Sequence, residues 1–246
     1  PLVIEGNGAT LSGADPAPAT GWQAEVGGVF SLPQTTEVKF LLGPACFYEV
    51  GKSPTTLGPE QWLWQAGKLY FRPAAGKTPA DYRLDMSVRS SGLMTTGVGQ
   101  VIVRNLNCER FWNDGFNIHN GSAPLWFENI RGVWNGDEGF SCHENCEVYV
   151  RGAELSHNYW HGVADVGLSR THYQNLIVRD NRMKGLFFLG AMHSVTDAEV
   201  SGSPVNIAVN GPDLREYPRL EAYPLRDGVA HFRNVVVRSR GDEIGL

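Results

Sequence analysis

The sequence of 246 residues has no long apolar run, few cysteines and no excess of basic residues. No apolar stretch approaches the roughly 18 residues that cross a bilayer, so we expect no membrane span. Four cysteines are too few for a disulfide scaffold. The net charge of −5, with hydrophobic residues at 42%, argues against a disordered acidic chain and against nucleic-acid binding.

The chain also has no visible signal peptide and does not begin with methionine, so we expect processing or truncation upstream of Pro1. What it does have is a regularly spaced glycine. Gly115, Gly139, Gly162 and Gly185 lie 24, 23 and 23 residues apart (139 − 115, 162 − 139, 185 − 162). Ten residues before each glycine stands a turn-prone residue, in order Asn105, Asn129, Gly152 and Asn175.

Short β-rich segments flank both of these positions, and helical periodicity is absent from the repeat. A unit of about 23 residues built from strands and turns is typical of a solenoid with one coil per repeat. We therefore predict an all-β fold, a right-handed parallel β-helix with coils stacked about 4.8 Å apart. Two apolar ladders should face its core: Leu106, Ile130, Ala153 and Leu176, and Phe116, Phe140, Val163 and Leu186.

We expect a single domain over residues 1–246 with two departures from the coil. Residues 44–90 contain "GKLYFRP" and predict a β-hairpin excursion, and residues 202–228, rich in Pro, Arg and Tyr, predict a loop insertion. The chain stops in mid-coil near Gly245, which would leave an open sheet edge. The sequence therefore predicts a fragment of a longer chain, or a partner chain that pairs with this end of the solenoid.

The residue before each repeated glycine is titratable, and the four are Asp114, Glu138, His161 and Lys184. Stacked coils should align them in a ladder with steps of about 5 Å, beside Asn113, Asp137 and Trp160 in the preceding column. One carboxylic acid could protonate a glycosidic oxygen while another carboxylate activates water or attacks carbon. Close like charges raise the pKa of one carboxyl group, which suits a general acid. His161 or Lys184 could instead abstract a proton, as in a lyase or epimerase.

Other polar and aromatic residues near these turns are candidate substrate contacts. They are Asn113, His119, His143, Tyr159, Trp160 and Arg182. Sugar rings stack on aromatic faces, and the two histidines form a matched column five residues beyond Asp114 and Glu138. The plainer alternatives are a solvated turn for the ladder, exposed strand histidines, and aromatic rings that pack between coils.

The sequence offers two possible metal sites and one carboxylate that should be buried. "CHENC" (142–146) resembles a zinc knuckle only loosely and has no second ligand pair, so we predict no metal cofactor. Calcium bound by Asp114, Asp137 and Glu138 is the alternative. Asp165 falls in the inward column of Ile118, Cys142 and Phe188, where a carboxylate needs a partner, as hydrogen-bonded structure or as a hidden site residue.

These motifs resemble the pectate-lyase-like β-helix superfamily over most of the chain from Pro1 to Leu246. "NDG" (113–115), "GDEG" (136–139) and "WHG" (160–162) are similar to the polygalacturonase signature, in which successive coils carry Asn-Thr-Asp-Gly, Gly-Asp-Asp and Gly-His-Gly. The resemblance implies acid and base roles for Asp114, Asp137 and Glu138, with His161 supporting them.

The sequence thus predicts an enzyme that hydrolyses a polysaccharide through acid and base carboxylates. A polysaccharide lyase or uronate epimerase is the first alternative, and a non-catalytic carbohydrate-binding or surface-structural β-helix is the second. The expected partner is a polysaccharide rather than a nucleic acid. The expected location is extracellular, periplasmic or at the cell surface.

Overall fold

A computed structural model of the protein describes residues 1–212 and 228–239. Within these ranges the chain forms 22 strands and three short 3₁₀ helices. The 3₁₀ helices are Val26–Gly28, Pro54–Thr56 and Pro79–Asp81. The strands are β1 (Leu2–Glu5), β2 (Thr10–Ser12), β3 (Ala14–Pro16), β4 (Gln23–Ala24), β5 (Phe30–Pro33), β6 (Phe40–Leu42), β7 (Gln61–Gln65), β8 (Lys68–Arg72), β9 (Asp85–Ser87), β10 (Leu93–Thr96), β11 (Val101–Arg104), β12 (Asn107–Glu109), β13 (Phe116–His119), β14 (Leu125–Val133), β15 (Phe140–Cys142), β16 (Glu147–Ser156), β17 (His161–Val166), β18 (Arg170–Arg179), β19 (Lys184–Leu189), β20 (Met192–Ser201), β21 (Val205–Val209) and β22 (Val229–Arg238).

Residue contacts divide the chain into two compact units, Pro1–Ser12 with Ser91–Leu246, and Gly13–Ser90. The second unit holds two antiparallel sheets, β3-β9-β6 and β4-β5-β8-β7, around a core that includes Trp62, Leu69 and Phe71. The hairpin predicted within residues 44–90 is present as β7 and β8. It belongs to this second unit, however, so the chain leaves the coil at Gly13 rather than at residue 44.

The first unit is a parallel β-helix. One sheet stacks the strands β1, β11, β14, β16, β18, β20 and β22, with β2 and β12 attached, and a second sheet stacks β10, β13, β15, β17, β19 and β21. Residues paired between β14 and β16 are 23 apart (148 − 125), as are those between β16 and β18 (171 − 148). The predicted coil of about 23 residues is therefore confirmed. In the described ranges no helix is long and apolar enough to cross a membrane.

Both predicted apolar ladders line the interior of this solenoid. Ile130 pairs with Ala153 and Ala153 with Leu176, while Phe140 pairs with Phe116 and with Val163. All eight predicted ladder residues are buried. Because the stacking register repeats the same side-chain type at the same level, the core is continuous along the coils.

The turn column ten residues before each glycine bends the long strands of the first sheet. Its members adopt left-handed backbone conformations: Asn105 (φ 52°), Asn129 (φ 52°), Gly152 (φ 72°), Asn175 (φ 56°), Asp197 (φ 57°) and Asn234 (φ 52°). Asn and Gly accept positive φ at little cost, which explains the recurrence of these residue types. A Cβ atom at Gly152 would lie 2.7 Å from Asn129 Oδ1, so a larger residue in this coil would displace the Asn129 side chain.

The regularly spaced glycine is required by lack of space, not by a left-handed backbone conformation. Gly115, Gly139, Gly162 and Gly185 all have ordinary negative or extended φ angles. A Cβ atom at Gly139 would instead lie 2.7 Å from the Gly132 carbonyl oxygen and 2.8 Å from Asn158 Nδ2. Close approach of neighbouring backbone and side chains therefore excludes any larger residue from this column.

The predicted loop insertion at 202–228 begins as a strand. β21 pairs with β19, with Val205 opposite Lys184, and so continues the second sheet. The following step, from His193 to its partner Ala230, is 37 residues (230 − 193), against 22 in the preceding coil (193 − 171). Residues 213–227, and the predicted open end near Gly245, lie outside the described residues.

Candidate active site

The four titratable residues of the predicted ladder stack on one another. The Gly115 N–H donates to the Glu138 carbonyl (2.9 Å), the Gly139 N–H donates to the His161 carbonyl (3.2 Å), and His161 pairs with Lys184. The column is continued by Ser91 before Asp114 and by Val205 after Lys184. The alignment predicted from glycine spacing is therefore confirmed.

Three carboxyl groups meet at the start of this column. One oxygen from each of Asp114, Asp137 and Glu138 lies within 4.8 Å of the others, and this is the only such group of potential metal ligands in the described ranges. Asp114 and Glu138 are 2% and 8% exposed, while Asp137 is half-buried. The solvated turn considered from the sequence is thus wrong for the two buried carboxyl groups. Hard oxygens this close also suit calcium, which stays a prediction.

Asp114 is held in place by the next coil. Its Oδ1 accepts the Glu138 backbone N–H at 3.1 Å, and its Oδ2 accepts the Ser141 hydroxyl at 2.8 Å. Burial raises the pKa of Asp114 to about 6; the hydrogen bond from the Glu138 side chain opposes this, and the Asp137 charge adds to it.

Glu138 is the member of the trio that holds a proton most strongly. Burial raises its pKa well above the usual range, and the charges of Asp114 and Asp137 raise it further. A protonated Glu138 can also donate a hydrogen bond to these neighbours, which favours its neutral form. Burial raises the pKa of Asp137 as well, but the hydrogen bond from Glu138 opposes that rise. The site therefore combines a proton donor with two acceptors.

His161 is neutral at neutral pH. It is 5% exposed, and burial, followed by the charge of Lys184, lowers its pKa to about 4. The Lys184 backbone N–H donates to His161 Nδ1 at 3.1 Å, so the neutral ring carries its proton on Nε2. The Lys184 ammonium lies 4.1 Å from the centre of the Phe187 ring.

Four of the predicted substrate contacts lie beside the ladder, in two further columns. Asn113 Nδ2 donates to Asp114 Oδ2 at 3.2 Å, and the Trp160 backbone N–H donates to the Asp137 backbone carbonyl at 3.3 Å. Trp160 is 46% exposed. In the next column the Arg182 guanidinium lies 4.5 Å above the Tyr159 ring. The structure therefore places Asn113, Tyr159, Trp160 and Arg182 in the columns that adjoin the ladder.

His119 and His143 form the predicted matched column at the opposite end of their strands. Their rings stack with centres 4.1 Å apart, and His119 Nδ1 lies 3.3 Å from Glu144 Oε2. Burial, with the nearby His119, lowers the pKa of His143 to about 3. The two histidines thus belong to a separate cluster with Glu144 and are not brought to the carboxyl trio.

Asp165 is fully buried in the inward column, as predicted. It accepts hydrogen bonds from the Thr171 hydroxyl (2.7 Å) and the Tyr173 hydroxyl (3.0 Å), and His193 Nδ1 lies 3.6 Å away. These contacts satisfy the carboxylate inside the core. Of the two alternatives for Asp165, hydrogen-bonded structure accounts for what surrounds it.

The cysteines of "CHENC" are buried free thiols. The Cys142 and Cys146 thiols are hydrogen-bonded to each other; burial raises the pKa of Cys142, whereas that hydrogen bond lowers the pKa of Cys146. Cys142 faces the core opposite Ile118 and Asp165, as the inward column predicted.

The sequence reading missed a ladder of buried asparagines beneath the site. Asn135 Nδ2 donates to Asn158 Oδ1 (3.2 Å), and Asn158 Nδ2 donates to Asn181 Oδ1 (3.0 Å). The Asn135 and Asn158 side chains also accept hydrogen bonds from backbone N–H groups, and Asn158 Nδ2 donates to a backbone carbonyl. Each asparagine stands four residues before a repeated glycine, and this spacing was the available signal. Ser141 and Asn117, whose side chains contact one another beside Asp114, were missed too.

The chain was compared with protein families, curated proteins and solved structures. No protein-family model matches the chain, and no curated protein sequence matches it. A solved structure, described as the complex structure of XylC with xylose, is similar with a TM-score of 0.44 and 10% sequence identity. The similarity covers 96% of this chain and 54% of the XylC chain, so this chain spans about half the length of that protein. The parallel β-helix agrees with the predicted superfamily at the level of the fold.

Proposed function

We propose that the protein is a carbohydrate-active enzyme that cleaves a glycosidic bond in a polysaccharide by hydrolysis. Glu138 is the general acid, and Asp137 is the carboxylate that faces the substrate. The observation that carries this proposal is the carboxyl trio, with one oxygen of each residue within 4.8 Å of the others. Paired carboxyl groups with separated pKa values are what glycoside hydrolysis requires.

The nearest carboxyl oxygens of the trio lie within 4.8 Å of one another, which is closer than the spacing that admits a water in inverting enzymes, and we therefore propose direct attack by Asp137 over activation of a water. Inverting enzymes keep their carboxyl groups about 6.5–9.5 Å apart to admit a water, whereas retaining enzymes hold them about 5–5.5 Å apart. In the retaining scheme Asp137 bonds to the anomeric carbon as the bond from that carbon to the glycosidic oxygen breaks, and Glu138 gives its proton to that oxygen, so the leaving sugar departs as an alcohol. A water deprotonated by Glu138 then releases the sugar and restores both groups.

Residues around the trio supply the means to hold a sugar. Aromatic faces along the ladder are provided by the exposed Trp160, in the column of Asp137, and by the half-buried Phe187, whose ring centre lies 5.1 Å from that of His161. Lys184 and Arg182 add positive charges, each already positioned over an aromatic ring. Such a surface suits a chain of sugars, and the two cations favour sugars that carry carboxylates.

The geometry of His161 argues against a lyase or epimerase that uses it as base. Its Nδ1 lone pair already accepts the Lys184 N–H, and the neutral ring then carries hydrogen on Nε2. In this tautomer neither ring nitrogen can remove a proton from a substrate.

A binding protein without turnover is the second candidate. Both oxygens of Asp114 are occupied by Glu138 N–H and the Ser141 hydroxyl, and Asp114 is 2% exposed. A carboxylate that is fully engaged in joining two coils has a structural role. This burial is the specific observation that favours a β-helix that binds glycan without cleaving it.

The test is reducing-end release from a panel of uronic-acid and neutral polysaccharides, with absorbance of unsaturated uronides followed in parallel. Hydrolysis predicts new reducing ends without that absorbance. Glu138→Gln should lower kcat by roughly 10²–10⁴-fold with little change in KM, because the lost proton transfer acts in the transition state. Glu199→Gln, at an exposed glutamate on the other sheet, is the matched control and should retain full activity.

Three results would reject the proposal. Unsaturated products would indicate elimination, and an active Glu138→Gln variant would remove the proposed acid. Binding without turnover, unchanged in Asp114→Asn and Glu138→Gln, would establish the second candidate instead.

A further inference from the structure

A groove follows the first sheet of the solenoid, on a different sheet from the carboxyl trio. One cavity of about 400 Å³ includes Trp126, Tyr149, His172 and Arg151 in its wall. A second cavity of about 350 Å³ shares Trp126 and Glu128 with the first and extends to Arg104. The two cavities therefore form one elongated groove across successive coils.

Two outward columns form the walls of the groove. The first runs Ile102, Trp126, Tyr149, His172 and Ser194. The second runs Arg104, Glu128, Arg151, Gln174, Thr196 and Arg233. Six coils with steps of about 4.8 Å give a length of roughly 24 Å, which suits an extended polymer better than a single small molecule.

The aromatic column offers hydrogen-bonding edges rather than ring faces. Trp126 stacks on Tyr149 with an interplanar angle of 18°, and Tyr149 stacks on His172 with an angle of 15°. Stacking thus occupies both faces of Tyr149 and one face each of Trp126 and His172. In the described part of the chain the Trp126 indole N–H, His172 Nε2 and the Gln174 amide have no protein hydrogen-bond partner. These groups are available to a hydroxyl-rich ligand.

The charged column gives the groove a sign opposite to that of the whole protein. Three arginines, Arg104, Arg151 and Arg233, line the groove together with one carboxylate, Glu128, which pairs with Arg104 and Arg151, so the groove carries a net charge of +2 (3 − 1). The whole chain has a net charge of −5. Arg151 is the more exposed partner of Glu128, with 64% of its side chain accessible, and its guanidinium can bind a carboxylate of a ligand as well.

We infer that this groove binds a linear acidic polysaccharide, a chain of sugars with carboxylates at intervals. Its length fits a polymer, its arginines fit carboxylates, and its free edge groups fit sugar hydroxyls. Single-stranded nucleic acid is disfavoured, because bases bind by stacking on open aromatic faces and neighbouring rings occupy four of the six faces here. The groove uses none of the residues of the proposed hydrolase site, so the two proposals stand separately.

The experiment follows the indole N–H signals of the seven tryptophans by NMR in the full chain, with Trp126 assigned through Trp126→Phe. A uronic-acid hexasaccharide is the probe, and the same hexasaccharide with its carboxyl groups reduced to alcohols is the neutral match. The Glu138→Gln background prevents loss of the probe by turnover. Turnover in the otherwise unaltered chain is measured separately, so failure of one proposal is distinguishable from failure of the other.

We expect the Trp126 signal to shift saturably with the acidic probe, and Arg151→Gln/Arg233→Gln to weaken that binding at least tenfold. Gln174→Ala is a second, charge-neutral variant that should also weaken it. Arg179→Gln, which removes one positive charge from the other half of a strand in this sheet, should bind as before. An unmoved Trp126 signal, equal binding of the reduced probe, or tighter binding of an oligothymidylate would overturn the inference.

Discussion

The backbone N–H of Glu138 donates a hydrogen bond to the Asp114 carboxylate of the neighbouring coil, at 3.1 Å. This contact follows directly from the solenoid, since residues one coil apart lie at the same position in successive turns. It brings two carboxyl groups together inside the protein, where like charges and burial both oppose ionisation. The chemistry proposed for the site depends on that arrangement.

Asp114→Asn should stabilise the protein above about pH 6. The pKa of Asp114 rises from 3.8 to about 6 on folding. The stability that the protonated carboxyl group contributes is therefore fully present below pH 3.8 and is lost as the pH rises through 6. Asparagine has no charge to bury, so the variant should gain on the order of 2–3 kcal/mol over the unaltered chain at pH 7, and almost nothing near pH 4. Denaturant unfolding at the two pH values measures this difference.

The matched control is Asp197→Asn, because Asn occupies the corresponding turn position in most other coils. We expect no pH-dependent gain from it. Equal stability of Asp114→Asn and the unaltered chain at pH 7 would mean that Asp114 ionises without penalty.

His161→Gln should make the protein less sensitive to acid. The pKa of His161 falls from 6.5 to about 4 on folding, so the unfolded chain takes up the proton first and stability is lost as pH falls from 6.5 to 4. Glutamine removes this loss, which is about 3 kcal/mol across that interval. Thermal unfolding midpoints at pH 7 and pH 4 measure this loss, and His231→Gln, at an exposed histidine, is the control. If the unaltered chain and both variants shift equally between the two pH values, the buried neutral state of His161 is contradicted.

Asn158→Ala should destabilise the solenoid by about 2–4 kcal/mol. The side chain accepts the Asn135 N–H and donates to the Gly132 carbonyl and to Asn181, all in the buried interior. Its removal leaves these buried groups without hydrogen-bond partners, so the folded protein loses stability equal to each group's cost of desolvation. Asn145→Ala, at an exposed asparagine, should change the unfolding free energy by less than about 0.5 kcal/mol. A similar effect of both variants would show that the asparagine ladder is not a stabilising network.

Much of the solenoid could be predicted from the sequence because a coil repeats its residue types at a fixed interval. The Phe116 and Ile130 ladders, the left-handed Asn129 column and the alignment of Asp114 with Glu138 all follow from that interval. The second unit could not be predicted in this way. Its antiparallel strands form a core from contacts without a repeat, and only the β7–β8 hairpin had a local signal.

The composition of the site was predicted better than its environment. Spacing identified which residues share a column, but burial depends on what packs over the column. Asp114 and His161 were therefore read as residues of a turn that could be solvated, whereas they are buried. The separation of His119 from the trio likewise depends on strand length, because five residues of extended chain carry it to the far end of β13.

The most direct test of the central claim is an NMR titration of the Glu138 side-chain carboxyl, assigned by comparison with Glu138→Gln. We expect a titration midpoint well above 4.5, so that Glu138 keeps its proton while exposed carboxyl groups have lost theirs. A midpoint at or below 4.5 would mean that Glu138 is an ordinary ionised carboxylate, and the proposed general acid would be contradicted.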